Sequence, residues 1–247
     1  MLKCLDKGAF SVWILKFNNM NNRLLILVVL TISFVSCVRS QNKENGIKYY
    51  EQGLKSPTSN EDARKLYNLG YIEFSRNNYY TAIDYYKKAI KLDPQYTDAI
   101  DNLALSYRRI NNLDSAERYY KLSLNVLPTN ELAWNNLAVV YIYKDELEKA
   151  KLTYRKLISV NNQYGDAFYG MSEIFLRQNN GDSAVYYGLI AYQIWKDNNI
   201  EFSRDALRYI VSGYLMMNDK NKAKEYFAIA KEIGTKFSSE IEAQMNK

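Results

Sequence analysis

The chemistry open to this chain is limited by the residue types that it lacks. It contains no His, and its two Cys, Cys4 and Cys37, both lie near the N-terminus. Metal sites built from Cys with His, and nucleophilic sites in which His is the base, are therefore excluded. A pair of carboxylates is the remaining catalytic option, with Asp101, Asp166 and Glu173 as candidate acids. Because these acids fall on predicted helical surfaces without a pocket-forming loop, we expect no enzyme, no cofactor and no metal.

Small and aromatic residues recur along most of the chain with one fixed period. Four Ala are spaced by 34 residues, namely Ala82, Ala116, Ala150 and Ala184. The same register aligns Leu69, Leu103, Leu137 and Met171, the small residues Gly70, Ala104, Ala138 and Ser172, and the aromatic residues Tyr86, Tyr120 and Tyr154. Apolar residues also recur at intervals of three and four, as on one face of a helix. The period predicts helical units that are stabilised by stacking on one another.

These positions, with Trp134 in the third unit and Pro94 and Pro128 closing the first two, resemble the tetratricopeptide repeat family. The resemblance implies an all-α fold, a right-handed superhelical α-solenoid of about five helix pairs within residues 63–237. The predicted units are 63–96, 97–130, 131–164, 165–198 and 204–237, with residues 199–203 inserted before the last and 238–247 as a C-terminal cap or tail. Gly188 departs from the family pattern, which has an aromatic residue there. Asn and Gly in the predicted turns suit the left-handed backbone that ends a helix, and these turns read Arg76-Asn77-Asn78, Ile110-Asn111-Asn112, Gln178-Asn179-Asn180-Gly181 and Asn218-Asp219.

In this family the first helix of each unit lines a concave groove, so the resemblance also implies a binding surface. The candidate partner-binding residues are Asn68, Tyr71, Asn102, Arg108, Arg109, Asn136, Tyr143, Glu173, Arg177 and Arg208. The three Asn lie one unit apart and could hold the backbone of an extended peptide, although Asn is common there in the family without a ligand. The Arg could hold a carboxylate or form a solvated basic face. The family's clamp for chaperone tails is not expected, because Tyr67 and Tyr71 replace its Lys and Asn.

The N-terminal segment has the pattern of a targeting signal. Residues 24–36 form an apolar run of about 13 residues, shorter than the roughly 20 that span a bilayer. Arg23 precedes this run, and the stretch from Phe34 to Cys37 resembles a bacterial lipobox. We therefore expect residues 1–36 to be a lipoprotein signal peptide, which would be more compact if translation began at Met20, and Cys37 to be lipidated. Residues 37–60 would be a tether with a short helix at 47–55. An uncleaved signal anchor is the alternative.

Together these features predict a membrane-tethered scaffold or adaptor for protein–protein interactions in the bacterial cell envelope. The expected partner is a peptide or an envelope protein, and the lipid supplies the contact with a membrane. Because Val38 rather than Asp follows Cys37, we expect the outer membrane, facing the periplasm. The charge of +6 includes no clustered basic stripe, so no nucleic acid is expected. The alternative is a glycan-binding envelope lipoprotein, because Tyr and Trp can stack on sugars.

Overall fold

The computed structural model describes residues 58–245, and their regular secondary structure is entirely helical. The predicted all-α fold is therefore confirmed. The predictions for residues 1–57, namely the signal peptide, the lipidated Cys37, the tether and the short helix at 47–55, lie outside the described residues. The helices are α1 (Glu61–Ser75), α2 (Tyr79–Leu92), α3 (Thr97–Arg109), α4 (Leu113–Val126), α5 (Glu131–Tyr143), α6 (Leu147–Val160), α7 (Gly165–Arg177), α8 (Gly181–Trp195), α9 (Ile200–Met216), α10 (Lys220–Glu232) and α11 (Ser239–Met245).

Helices α1 to α10 form five consecutive pairs, and each helix packs on the next one along the chain. The first helices of neighbouring units, α1, α3, α5, α7 and α9, also contact each other in that order. Among the helices described, the second members of the pairs make no such contacts with one another. The first helices therefore lie on the inner side of the stack, where the candidate groove is expected.

Small residues and Tyr side chains pack together inside each unit and between units. Tyr86 and Tyr154 are fully buried or nearly so. A Cβ atom at Gly170 would lie only 2.3 Å from the Cζ and Oη atoms of Tyr154. Gly188 takes the place of the expected aromatic residue, and a Cβ atom there would lie 3.0 Å from Cγ1 of Ile210. The departure at Gly188 thus makes room for α9 to approach α8 closely.

The turns between the two helices of each unit share one backbone conformation. In each of the four predicted turns one Asn has a positive φ angle between 55° and 63°: Asn77, Asn111, Asn179 and Asn218. The sequence did not point to the fifth, at Asp145, which has a φ of 59°. Asn and Asp tolerate this conformation better than other residues with a Cβ atom. The same turn in every unit gives every pair of helices a similar connection.

The ends of the described solenoid differ from its interior. Leu69 on α1 is 44% exposed, whereas Leu103, at the same position one unit later, is fully buried. Residues 200–203, within the predicted insertion, form the first turn of α9, and the side chain of Asn199 caps it by accepting a hydrogen bond from the Phe202 N–H at 3.2 Å. At the other end α11 packs on α10 and buries Met245. The tail up to residue 245 therefore covers part of α10.

A group of charged side chains links the second and third units away from the groove. Lys144, which follows α5, donates to Glu117 of α4 at 2.6 Å and to Asp114 at 2.9 Å. Burial raises the pKa of Glu117, but the hydrogen bonds from Lys121 and Lys144 outweigh it and lower the pKa to about 2. Glu117 thus stays ionised and joins the two units at neutral pH.

Candidate partner-binding groove

The ten groove residues expected from the sequence all lie on the five first helices. Asn68, Arg109 and Tyr143 are exposed, and Tyr143 is 61% accessible. By helix, they are Asn68 and Tyr71 on α1, Asn102, Arg108 and Arg109 on α3, Asn136 and Tyr143 on α5, Glu173 and Arg177 on α7, and Arg208 on α9.

The three Asn at equivalent positions have different surroundings. Asn68 is exposed. The Asn102 side-chain amide donates to the Tyr67 hydroxyl at 3.1 Å and to the backbone carbonyl of Asp98 at 2.9 Å. Asn136 accepts a hydrogen bond through Oδ1 from Arg108 at 3.3 Å. The amides of Asn102 and Asn136 therefore connect the first helices of neighbouring units.

Arg108 lies on α3, the second of the five first helices, and is half-buried. Besides Asn136, its guanidinium group contacts the Tyr143 ring, whose centroid is 6.0 Å away. It also lies beside the buried hydroxyl of Tyr120, whose pKa is raised by burial and lowered by the guanidinium. The Arg108 Nε atom is buried and has no hydrogen-bond partner. Within residues 58–245 no carboxylate forms an ion pair with Arg108 or with its neighbour Arg109.

The arginines further along the groove are paired within the protein. Arg177 donates through Nη2 to Glu173 at 2.6 Å, one turn earlier on α7. Arg208 forms an ion pair with Asp205 and donates through Nε to the backbone carbonyl of Lys236 at 2.9 Å. Of the four arginines that the sequence singled out, two are therefore neutralised by neighbours on their own helix.

Aromatic rings pack against one another at the end of the solenoid formed by α7, α8 and α9. Tyr169 of α7 and Tyr209 of α9 stack face to face, with ring centroids 4.6 Å apart and planes inclined by 3°. Trp195, at the end of α8, lies against Tyr169 with its centroid at 5.8 Å. These rings contact one another, so they bind the fourth unit to the fifth.

Of the three candidate acids, Asp101 and Glu173 have partners within the protein, and Asp101 lies on a different helix from the other two. Asp101 is 5% exposed, and its Oδ2 accepts from the Asn130 side chain at 2.7 Å. Asn130 in turn caps α5 by accepting from the Ala133 N–H at 3.2 Å. Asp166 and Glu173 lie on α7, which does not contact α3, and Glu173 is already paired with an arginine.

Asp98, which the sequence did not single out, is the acid that lies close to Asp101. Burial raises the pKa of each to about 6, and the charge of Asp101 contributes to the rise at Asp98. Asp98 Oδ2 and Asp101 Oδ1 are buried and lack hydrogen-bond partners. The i, i+3 spacing on α3 was the signal in the sequence that could have identified this pair. Residues 58–245 contain no group of three or more acids that could hold a metal ion.

The outer surface is charged on most of the second helices but not on α8. Equivalent outward positions of α2 carry Asp84, Lys87, Lys88 and Lys91, and on α8 they carry Tyr186, Leu189, Ile190 and Gln193. A shallow depression of about 520 Å³ is lined by Asn162, Gln163, Tyr186, Leu189, Ile190, Gln193 and Ile194. None of the described helices is both long enough and apolar enough to cross a bilayer. The α8 face is thus a second surface that any binding experiment must separate from the groove.

Family models described as tetratricopeptide repeat match residues 63–96, 99–132 and 132–164. These matches cover the units in which paired helices, small residues and buried Tyr side chains recur in register. The chain belongs to the tetratricopeptide repeat family. No curated protein sequence matches it closely enough to suggest a more specific relative.

Solved structures of other tetratricopeptide repeat proteins share this fold. MamA aligns with a TM-score of 0.61 and 23% identity, over 70% of this chain and 92% of MamA. PilF of Pseudomonas aeruginosa aligns with a TM-score of 0.62 and 16% identity, over 72% of this chain and 78% of that one. YrrB, described as a TPR protein with an unusual peptide-binding site, aligns with a TM-score of 0.56 and 18% identity, over 70% and 87% of the two chains. At these identities the likeness concerns the fold.

Proposed function

We propose that this protein is a scaffold that binds an extended segment of a protein partner in its concave groove. The observation that carries the proposal is the part of the groove between α3 and α5, where Arg108 is half-buried and has no carboxylate partner in residues 58–245. Next to it, Asn136 and Tyr143 present an amide and an exposed ring. Such a mixture of polar donors, acceptors and rigid aromatic surface suits recognition of a peptide. The peptide-binding site ascribed to YrrB shows that this fold can carry such a function.

The second part of the proposal is that the scaffold is tethered to a bacterial envelope membrane by lipid on Cys37. Its support is the sequence around that residue, with an apolar run, Ser36 and Cys37 in succession. Acyl chains contribute about 0.8 kcal/mol for each buried CH₂ group, so several chains on one Cys anchor a protein firmly. On this proposal the groove faces the periplasm from the outer membrane and gathers a partner there.

Binding is favoured over catalysis by the state of the acids. A carboxylate pair acting on a substrate must reach solvent, whereas Asp101 is buried and is hydrogen-bonded to the residue that caps α5. Glu173 is held by an arginine on its own helix. These side chains have structural partners, and we therefore assign no catalytic step to the protein.

The scaffold proposal is tested by cross-linking in cells of the native bacterium. The full chain with a C-terminal tag serves as bait, beside a groove variant with Asn102→Ala, Arg109→Ala and Asn136→Ala. A third bait carries Ile190→Glu on the α8 face. A partner that is lost only from the groove variant supports the proposal. Loss only with Ile190→Glu would move the interface to the outer surface, and recovery of polysaccharide instead of protein would favour a glycan-binding function.

The tether is tested separately by the intact mass of the protein extracted from membranes. We expect a chain that begins at Cys37 and carries acyl groups, and a soluble product when Cys37 is changed to Ser. An unmodified chain that begins upstream of Cys37 would contradict lipidation and support a signal anchor. The groove experiment does not depend on this outcome.

A further inference from the structure

The four arginines of the groove are equivalent as candidates in the sequence but not in the structure. Arg177 and Arg208 each have an acidic partner within one turn of their own helix. Arg108 and Arg109 have none among the described residues. We propose that the partner segment carries a carboxylate that pairs with the Arg108 guanidinium group between α3 and α5. This inference rests on the proposed function and specifies the chemistry of its ligand.

The hydrogen bonds of Arg108 leave room for such a group. A guanidinium has five N–H donors in a planar fork that matches the two oxygens of a carboxylate. Within residues 58–245 Arg108 donates from Nη2 to Asn136 at 3.3 Å, and its guanidinium also makes a hydrogen-bonding contact with the Tyr120 hydroxyl. Its Nε atom is buried and out of reach of a ligand, so a carboxylate would bind through the two Nη atoms. Unsatisfied Nη donors of a half-buried cation cost free energy, which a carboxylate bound to both Nη atoms would recover.

The surroundings of Arg108 hold the guanidinium in place before a ligand binds. Asn136 contacts one edge, and the Tyr143 ring lies 6.0 Å from the central carbon. Arg109, exposed at the next position, adds a second positive charge to the same part of the groove. An anchored cation loses less conformational entropy on binding than a free side chain, and this favours affinity.

The charged groups around this position do not supply the missing anion. Asp101 lies two turns earlier on α3 and is hydrogen-bonded to Asn130. Two acids of α7, Glu173 and Asp166, influence the pKa of the Tyr154 hydroxyl together with Arg108. Glu173 is paired with Arg177, and among the described residues Asp166 forms no ion pair with Arg108. Asn136 and Tyr143 are the neutral contacts from α5. A carboxylate from outside the described solenoid therefore completes the site.

The test uses an array of nine-residue peptides with random flanks and a central Glu, Gln or Lys, all with amidated C-termini. The full chain solubilised in detergent is applied to it. We expect the wild type to retain central-Glu peptides about tenfold better than central-Gln peptides, as one charge-assisted contact allows. Arg108→Gln should abolish this preference, Arg108→Lys should keep part of it, and Arg108→Glu should shift the preference to central Lys. A second array with free C-termini shows whether a chain-terminal carboxylate can replace the side chain.

Two further variants locate the effect. Arg118→Gln makes the same charge change on the exposed surface of α4 and should leave the Glu preference intact. If Arg177→Gln rather than Arg108→Gln removed the preference, the site would belong to the other end of the groove and the inference would be wrong. Thermal unfolding of each variant checks that the fold is retained.

The outcomes distinguish the inference from the function on which it rests. Peptide binding with equal retention of Glu and Gln would overturn the carboxylate site and leave the scaffold proposal standing. A preference that persists in Arg108→Gln would also overturn it. If no peptide bound to any form above the level of a blank array, both proposals would fail.

Discussion

The groove has two halves that are built from the same repeat but have different electrostatic surfaces. On α3 and α5, Arg108 and Arg109 lack acidic partners among residues 58–245. On α7 and α9, every arginine expected to line the groove has an ion pair, and Tyr169 and Tyr209 stack on each other. The half on α3 and α5 has arginines that are free to bind a ligand, and we call it the free half. In the half on α7 and α9, the paired half, the arginines are neutralised by side chains of the protein itself.

The cause of this difference lies one helical turn away from each arginine. Arg177 follows Glu173 by four residues, a spacing that places opposite charges side by side. The residues four positions before Arg108 and Arg109 are Ala104 and Leu105. The side chain one turn before each arginine therefore decides whether that arginine is neutralised within its helix or is available to a partner.

The two halves meet where Gly170 of α7 packs on Tyr154 of α6. Disrupting this contact should lower the free energy of unfolding, and this is the largest effect that we expect. Gly170→Val places a side chain where a Cβ atom already comes within 2.3 Å of Tyr154. We expect the free energy of unfolding to fall by about 2–3 kcal/mol, as for overpacked cores. Urea unfolding followed by circular dichroism measures it. The double variant with Tyr154→Leu should recover part of the loss, and independent, additive effects would contradict this account.

The free half can be made to resemble the paired half by changing Leu105 to Glu. The new carboxylate lies four residues before Arg109 and close to Arg108, and should compete with a ligand carboxylate. We expect affinity for central-Glu peptides to fall by about tenfold, equivalent to about 1.4 kcal/mol. Fluorescence anisotropy measures it, with Leu105→Gln as the neutral control. A similar loss with Gln would show that Leu105 acts through packing and not through charge.

The free half should also respond to pH, because it contains Asp98 and Asp101. Their pKa values are raised to about 6 in the folded state, so the folded protein binds protons more tightly than the unfolded chain. Stability should therefore rise as the pH falls from 7 to 5, by about 1 kcal/mol per group. Urea unfolding across this range measures it.

Variants assign this pH dependence to the two acids. Asp98→Asn with Asp101→Asn should flatten the profile between pH 7 and 5. Glu117, whose pKa is lowered to about 2, has the opposite sign, and its contribution is lost only as the pH falls below about 4.5. Glu117→Gln should therefore change the profile in that lower range alone. An unchanged profile in the double Asp variant would contradict the assignment.

The smallest expected effect comes from making the paired half resemble the free one. Glu173→Gln removes the carboxylate that neutralises Arg177. Because Arg177 is exposed and therefore well solvated, we expect only about a threefold gain in affinity for acidic peptides, within the range of surface ion pairs. The anisotropy assay that tests Leu105→Glu measures it, with Glu148→Gln on α6 as the control. A loss of affinity would indicate that Glu173 contacts the ligand itself.

Most of the fold could be predicted from the sequence because the information is local and repeated. The 34-residue period of Ala, Leu and Tyr gave the helix pairs, and the Asn residues gave four of the five turns within them. The turn at Asp145 was missed because Asp, unlike Asn or Gly, is not a strong indicator of a left-handed residue. The candidate site was predicted only as a set of positions, since the family pattern assigns them to the inner helices.

The sequence by itself determined the helices, their order and the residues that could face the groove, because apolar periodicity and turn chemistry act within one unit. Only the tertiary structure decided which of those residues remain available. Whether Asn102 bonds to Tyr67, or Arg108 rests against Asn136 and Tyr143, depends on how closely neighbouring units approach. That distance is set by side chains buried between the units, such as Tyr154 against Gly170, and no single repeat contains the information.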